Sequence, residues 1–201
     1  GQMISKAQSK ILSARPSIMS APPRLSTLDR AMLTWAVLDP GDKVLDASCK
    51  DGLLLDYIER NMDCEVCGAS DQMLCVRAAR TRLLSADIVY ATLGDIPWQA
   101  EKFDAVFFDA SGRSEADIRR AVFEVLRVLK SGGQLVLGAK WRPAVLRSVM
   151  ATFSDEEAQP DVGKASLLRL MEELGYQHCA WHQAGWAHGV VTCWKPQDSM
   201  A

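Results

Sequence analysis

The sequence predicts a doubly wound α/β domain, because short apolar runs alternate with segments of helical periodicity from residue 43 onward. Alternation of this kind implies parallel strands joined by right-handed crossovers, with helices on both faces of the sheet. The composition is that of an ordinary globular chain, with 48% hydrophobic and 24% charged residues among 201. No internal repeat or low-complexity linker divides the chain. We therefore expect one domain over residues 1–201.

Five short apolar runs are predicted to be the central strands. The fourth, residues 103–108, is apolar at almost every position, as expected for a strand covered on both faces. The tail from Tyr176 to Trp194 is predicted to form two more strands joined around Ala184 and Gly185, which gives about seven strands, mostly parallel. The five central strands are predicted over residues 43–47, 65–69, 87–91, 103–108 and 134–138.

Helices between the strands are predicted from apolar residues spaced three and four apart. Ile118, Ala121, Val122, Val125 and Leu129 give the strongest amphipathic pattern. Residues 130–133 are expected to end that helix, since glycine readily adopts the left-handed conformation of a helix end. Further helices are predicted from Gly52 to Met62, over residues 71–82 with Leu74 and Ala78 on one face, from Pro143 to Met150, and over residues 167–174.

Residues 1–39 are predicted to form a helical prelude to a core of residues 40–201. Ser26-Thr27-Leu28-Asp29 fits a capping box at the start of a helix. Placed before the first strand, the prelude is expected to act as a lid over the strand ends. Residues 1–24 carry four basic and no acidic residues, and are expected to be a solvated terminus. A basic lid for an anionic substrate is the alternative.

Charge, hydropathy and cysteine content narrow the function classes. With a net charge of −2, the chain has no overall excess of positive charge to attract nucleic acid, so no nucleic-acid partner is expected. No run of about 18 apolar residues occurs, so no membrane span is expected. Six cysteines without a secretory pattern at the N-terminus predict reduced thiols and a cytoplasmic location. The sequence leaves open whether the chain forms a homodimer.

The turn after the first predicted strand carries the most specific pattern. Residues 44–52 read Val-Leu-Asp-Ala-Ser-Cys-Lys-Asp-Gly, which resembles the first motif of class I S-adenosylmethionine-dependent methyltransferases, usually Asp-x-Gly-x-Gly-x-Gly. Residues 95–106, 125–136 and 170–176 resemble later segments of this family, in the same order. The similarity extends from about Leu33 to Pro196. It implies a Rossmann-like sheet and membership of the type 11 group, which acts on small molecules.

The resemblance also implies a cofactor site and a reaction. S-adenosylmethionine would donate its methyl group in line to a small-molecule acceptor and leave as S-adenosylhomocysteine. Asp109, at the end of the fourth strand, would be the catalytic carboxylate at the pocket edge. No metal ion is predicted, since residues 137–140 provide no further acidic ligand. The residues expected to contact the cofactor are Asp46, Ala47, Ser48, Gly52, Ser70, Asp71, Asp95 and Ile96.

The first motif departs from the family pattern at two of its three glycines. Ser48 and Lys50 replace them, and Gly52 is kept. A lysine near a sulfonium would repel it unless the ammonium turns outward or meets the cofactor's carboxylate. The functions to be weighed are therefore a methyltransferase and a catalytically inactive module for binding or scaffolding. A nicotinamide oxidoreductase is a third candidate, but residues 47–52 lack the Gly-x-Gly-x-x-Gly turn that it requires. An open cofactor pocket would favour the first, and a pocket filled by Lys50 or Asp51 the second.

Overall fold

Helices and strands alternate along the computed structural model, which describes residues 25–141, 148–149, 152 and 162–198. The predicted helix from Pro143 to Met150 lies largely outside these residues. The strands are β1 Lys43–Asp46, β2 Glu65–Ser70, β3 Asp87–Tyr90, β4 Phe103–Asp109, β5 Leu129–Lys140, β6 Gln177–Ala184 and β7 His188–Trp194. The helices with defined bounds are α1 Thr27–Trp35, α2 Leu53–Met62, α3 Met73–Arg82, α4 Glu115–Val128 and α5 Lys164–Glu173.

The seven strands form one sheet in the order β3-β2-β1-β4-β5-β7-β6. Strands β1 to β5 run parallel, and β7 is antiparallel to both of its neighbours. This confirms the predicted doubly wound, mostly parallel sheet. Since the strand order reverses between β1 and β4, the carboxyl ends of these two strands border the crevice where ligands bind in such folds.

Apolar side chains cover both faces of the sheet. Phe107 and Phe108 are neighbours on β4 and both fully buried, but they belong to different core clusters because successive side chains of a strand point to opposite faces. Phe108 packs in the cluster formed with α4 and α5, and Phe107 in the one formed with α1, α2 and α3. Burying one such side chain stabilises the fold by about 1.5–3 kcal/mol.

The buried face of α3 differs from the prediction. The helix buries Val76 and Ala79, whereas Leu74 is 78% exposed. Both sets follow helical spacing, so the pattern alone did not decide between them. Tertiary packing decides which face is buried, because Ala79 and Leu83 lie against the start of α2 at Gly52.

The junction between α4 and β5 is also different. The prediction that residues 130–133 end the helix was wrong, since α4 ends at Val128 and Leu129 already pairs with Phe103 in the sheet. Gly132 does adopt a left-handed conformation, with φ of 76°, but within β5. Backbone hydrogen bonds to Lys195 hold this segment beside the chain that leaves β7.

Helix α1 packs on the face of the sheet formed by β5, β6 and β7. The Ser26 hydroxyl accepts the Asp29 N–H at 3.0 Å, which caps the helix at the predicted residue. Gly138 permits the close approach, because a Cβ there would lie 3.0 Å from Leu28 and Met32. The Trp35 ring stacks on His182, with 3.7 Å between ring centroids. Residues 1–24 lie outside the described part, and the lid stays a prediction.

A buried amide holds the end of α1. The Gln134 side chain accepts the Val37 N–H at 2.8 Å and donates to the Trp35 carbonyl at 3.1 Å. We expect Gln134→Leu to lower the free energy of unfolding by about 1–3 kcal/mol, since it removes both bonds from a buried position. Urea denaturation measures this effect. The exposed Gln177→Leu is the control, and an equal loss in both variants would contradict the assigned contact.

Candidate active site

A polar cleft lies at the carboxyl ends of β1, β2 and β4. Its cavity volume is about 710 Å³, and it adjoins a smaller cavity of about 30 Å³. Small-molecule sites are usually clefts of about 300–1,000 Å³, so the space suits a ligand of nucleoside size. The polar side chains that line the larger cleft include Ser48, Lys50, Ser70, Asp71, Asp109 and Arg113.

Asp46 fixes the loop after β1. Its Oδ1 accepts the backbone N–H of Ser48 at 3.0 Å and the Ser48 hydroxyl at 3.4 Å. The same hydroxyl oxygen accepts the Asp109 N–H at 2.7 Å. On the other side, the Cys49 N–H donates to the Ala69 carbonyl at 2.9 Å. The loop is thus held between the ends of β4 and β2.

Lys50 reaches back across the loop to the end of β4. Its Nζ lies 2.9 Å from Asp109 Oδ2, although the Lys50 side chain is 62% exposed and that of Asp109 only 11%. Partial burial lowers the pKa of Lys50, but the hydrogen bond with Asp109 and the charges of Asp29 and Asp46 outweigh it, and the pKa is raised. Lys50 is therefore an ammonium group that lines both cavities.

Three carboxyl groups surround this ammonium, and we call Asp29, Asp46, Asp109 and Lys50 the Lys50 cluster. Burial raises the pKa of Asp46 to about 7, with further increases from Asp29 and Asp109. Its hydrogen bond with Ser48 and the Lys50 charge act in the opposite direction. Burial also raises the pKa of Asp29. With its carboxyl groups ionised the cluster carries a net negative charge, which suits a cationic ligand.

Asp29 is the member of this cluster that sequence reasoning missed. It lies in α1, far from the motif loop in sequence, and lines the smaller cavity with Met32 and Asp46. In the sequence, Asp29 belongs to the capping box that begins with Ser26, and helix capping was sufficient to explain an acidic residue at this position. Only the packing of α1 on the sheet brings it to the loop, so no local pattern indicated a site.

A second ion pair crosses the cleft from β2 to the loop after β4. Arg113 donates to both oxygens of Asp71, at 2.7 and 3.1 Å. These hydrogen bonds lower the pKa of Asp71 despite partial burial. Ser70 is 6% exposed, and its hydroxyl oxygen accepts the Gln72 N–H at 3.1 Å. Ser70 and Asp71, two of the predicted cofactor contacts, thus both lie at the cleft, with Asp71 bound to Arg113.

The remaining predicted contacts take different positions. Gly52, with φ of 84°, precedes α2 and lines the smaller cavity, while Ala47 is buried and donates its N–H to Phe107. Asp95 is exposed, and Ile96 is buried in the core beside α4. Neither of these last two lines either cavity. The structure therefore brings together Asp46, Ser48, Gly52, Ser70, Asp71 and Asp109, but not Asp95 and Ile96.

The loop after β4 contains a buried hydroxyl with no assigned role. Within the described residues, the Ser111 Oγ is buried at the cleft and has no hydrogen-bond partner. A buried polar group without a hydrogen-bond partner costs about 1–3 kcal/mol of stability. A ligand that hydrogen-bonds to the Ser111 hydroxyl would remove this cost. The described parts of the chain hold no group of three or more His, Cys, Asp or Glu residues arranged for a metal ion. None of their helices combines the length and apolarity needed to cross a bilayer.

Comparison with known proteins gives a consistent result. The model of a methyltransferase domain family matches residues 45–137. A demethylmenaquinone methyltransferase of Symbiobacterium thermophilum is 32% identical over 105 residues, which cover 48% of this chain and 42% of the relative. A 2-phytyl-1,4-naphtoquinone methyltransferase of Synechococcus elongatus is 28% identical over 141 residues, covering 65% and 60%. The matched segments thus span about half the length of these relatives.

The solved structures agree at the level of the fold. A TehB-like S-adenosylmethionine-dependent methyltransferase of Corynebacterium glutamicum superposes with a TM-score of 0.64 at 18% identity, over 85% of this chain and 88% of that one. The strand order and the cleft at the carboxyl edge define the class as a methyltransferase-type α/β protein. Residues 45–137 thus match a methyltransferase domain family, and the fold is that of S-adenosylmethionine-dependent methyltransferases.

Proposed function

We propose that this chain binds S-adenosylmethionine in the cleft and transfers the methyl group in line to a small-molecule acceptor. The observation that carries the proposal is the juxtaposition of the acidic Lys50 cluster with the buried, unpartnered Ser111 hydroxyl at one crevice. Carboxylates suit the cationic groups of this cofactor, and the free hydroxyl suits its polar groups.

The chain's own residues would divide the binding between them. Asp46 would face the amino group of the cofactor's methionine end, and Ser70 with Asp71 the ribose hydroxyls. Since Asp71 accepts two bonds from Arg113, its oxygens become available to a ribose only when that pair rearranges. When bound, the cofactor supplies an activated methyl group on a positive sulfur. Asp95 and Ile96 would contact the adenine, provided that the loop that carries them approaches the cleft.

Asp109 is the proposed catalytic residue at the acceptor side. It ends β4, is only 11% exposed, and its Oδ1 accepts the Ser111 N–H at 2.9 Å. A carboxylate fixed there would orient the acceptor and, for a hydroxyl acceptor, take up the proton that is released. The relatives named above act on quinones, so reduced naphthoquinones are the acceptor class we propose to test first.

The test is transfer of a tritiated methyl group from S-adenosylmethionine to a panel of reduced naphthoquinones and other small phenols. We expect label in an organic extract, with inhibition by S-adenosylhomocysteine. The Asp109→Asn variant tests the catalytic role. It should lose most of the rate of methyl transfer while it still binds the cofactor. Transfer at the wild-type rate by Asp109→Asn would exclude it as the catalytic carboxylate.

A catalytically inactive binding or scaffold module is the second candidate. It is favoured by the two ion pairs, Lys50–Asp109 and Asp71–Arg113, which connect opposite sides of the cleft. In that case neither the wild type nor a variant with one pair removed would bind the cofactor. If the wild type binds the cofactor, or if a variant that lacks one ion pair gains this binding, the methyltransferase hypothesis is favoured.

A further inference from the structure

We propose that Lys50 is itself a cofactor-binding residue, whose ammonium leaves Asp109 to bind the α-carboxylate of the cofactor's amino-acid end. The inference rests on the proposed function and goes beyond it, since it gives a binding role to the residue that replaces a family glycine. It also predicts that Asp109 is released from its ion pair when the cofactor binds.

The loop geometry allows the Lys50 side chain to move while its backbone stays fixed. The loop backbone is held on both sides, by the Asp46–Ser48–Asp109 hydrogen bonds and by the bond from Cys49 to Ala69. The Lys50 side chain is 62% exposed and lines both cavities. Rotation of its flexible stem therefore moves the ammonium within the cleft without breaking the loop.

A cation near the incoming carboxylate offsets the negative charge of the carboxyl groups around it. The cofactor's amino-acid end brings one carboxylate into a site that already contains the carboxyl groups of Asp29, Asp46 and Asp109. Like charges disfavour one another, so a cation that faces the ligand carboxylate offsets this repulsion. In the part of the chain that the structure describes, the basic side chains that line the two cavities are Lys50 and Arg113.

Of these two cations, Lys50 is the one that exchanges its partner more easily. Arg113 makes two hydrogen bonds to Asp71, and its side chain is 23% exposed. Among the described residues, Lys50 makes one ion pair, with Asp109, from a largely exposed side chain. Bidentate arginine–carboxylate pairs are the stronger and more rigid type, whereas exposed single ion pairs contribute little. A ligand carboxylate therefore competes for Lys50.

The exchange leaves Asp109 ionised and facing the crevice. Its Oδ1 keeps the hydrogen bond from the Ser111 N–H, while Oδ2 loses the ammonium. Cofactor binding would thus convert a neutralised carboxylate into a free one at the acceptor side. The lysine does not simply repel the sulfonium in this arrangement, because its charge is balanced by the ligand's own carboxylate.

Calorimetric titration with two ligands that differ only in the carboxylate tests the inference. S-adenosylmethionine and decarboxylated S-adenosylmethionine are titrated into the wild type, Lys50→Met, and the exposed control Lys164→Met. We expect Lys50→Met to weaken S-adenosylmethionine binding about tenfold or more, the size of a lost charge-assisted hydrogen bond, and to leave the decarboxylated ligand within about twofold. The control should leave both affinities unchanged.

A second variant should change affinity in the opposite direction. Asp109→Asn removes the competitor for Lys50, so we expect about two- to fivefold tighter binding of S-adenosylhomocysteine, whose sulfur carries no charge. The inference would be overturned if Lys50→Met weakened the binding of S-adenosylmethionine and of decarboxylated S-adenosylmethionine equally, or weakened neither. Binding of S-adenosylmethionine by the wild type would still support the proposed function in that case. A wild type that binds no ligand would overturn both.

Discussion

Asp46→Asn should raise the melting temperature at pH 8 and at the same time abolish measurable binding of S-adenosylmethionine. Asp46 is 6% exposed, and burial is the main cause of its pKa of about 7, above the ordinary value of 3.8. The folded chain therefore holds this proton more tightly than the unfolded chain. Asparagine keeps the shape and the oxygen that accepts the Ser48 N–H, but removes the ionisable group.

The pH dependence follows from the sign of this shift. A raised pKa contributes stability that is fully present below pH 3.8, is lost as the pH rises, and is absent above about 7. Asp46→Asn should thus stabilise the fold at pH 8 by on the order of 2–4 kcal/mol, and have little effect near pH 4.

Thermal unfolding across this pH range and calorimetric titration at pH 8 measure the two effects. The control is Asp63→Asn, because Asp63 is exposed at the end of α2 and lines neither cavity. A lower melting temperature for Asp46→Asn than for the wild type at pH 8 would contradict the claim that the buried, ionised Asp46 destabilises the fold. An unchanged affinity would mean that the cofactor site lies elsewhere.

Gly52→Ala should destabilise the fold by about 2–4 kcal/mol. Gly52 has φ of 84°, and a Cβ there would lie 3.1 Å from Leu83 and 3.2 Å from the Cα and Cβ of Ala79. The left-handed conformation alone costs about 1–2 kcal/mol for other residues, and the Ala79 backbone cannot yield easily. The expected decrease in melting temperature is about 4–16 °C for a chain of this size.

Gly175→Ala separates the two contributions to this cost. Gly175 has φ of 98°, but a Cβ there would meet no atom within 4 Å. It should therefore show the conformational cost alone, and the difference between the two variants measures the packing of α2 against α3. Equal losses would show that Gly52 is required only for its backbone conformation, and that the predicted contact with α3 is unimportant.

The order of strands and helices was predictable because each has a local signature. The apolar run at Phe103 to Phe108 and the spacing of Ile118, Ala121, Val122 and Val125 correspond to β4 and α4. The exposed face of α3 and the direct passage from Val128 into β5 were not predictable, because long-range packing and pairing decide them. The cytoplasmic location stays a prediction.

The candidate site was predictable only where its residues lie in the motif loops. Asp46, Ser48, Ser70, Asp71 and Asp109 follow strands that end at one edge of the sheet, so topology alone brings them together. Asp29, by contrast, depends on the docking of α1, and the two ion pairs depend on side-chain positions that a sequence pattern does not specify.

Calorimetric titration of the wild-type protein with S-adenosylmethionine and S-adenosylhomocysteine at pH 8 tests the central claim most directly, because Asp46 is ionised there. We predict one binding site with a micromolar Kd for both ligands, lost in Asp46→Asn. Absence of binding heat for either ligand, from protein that melts cooperatively, would contradict the claim and favour the inactive module.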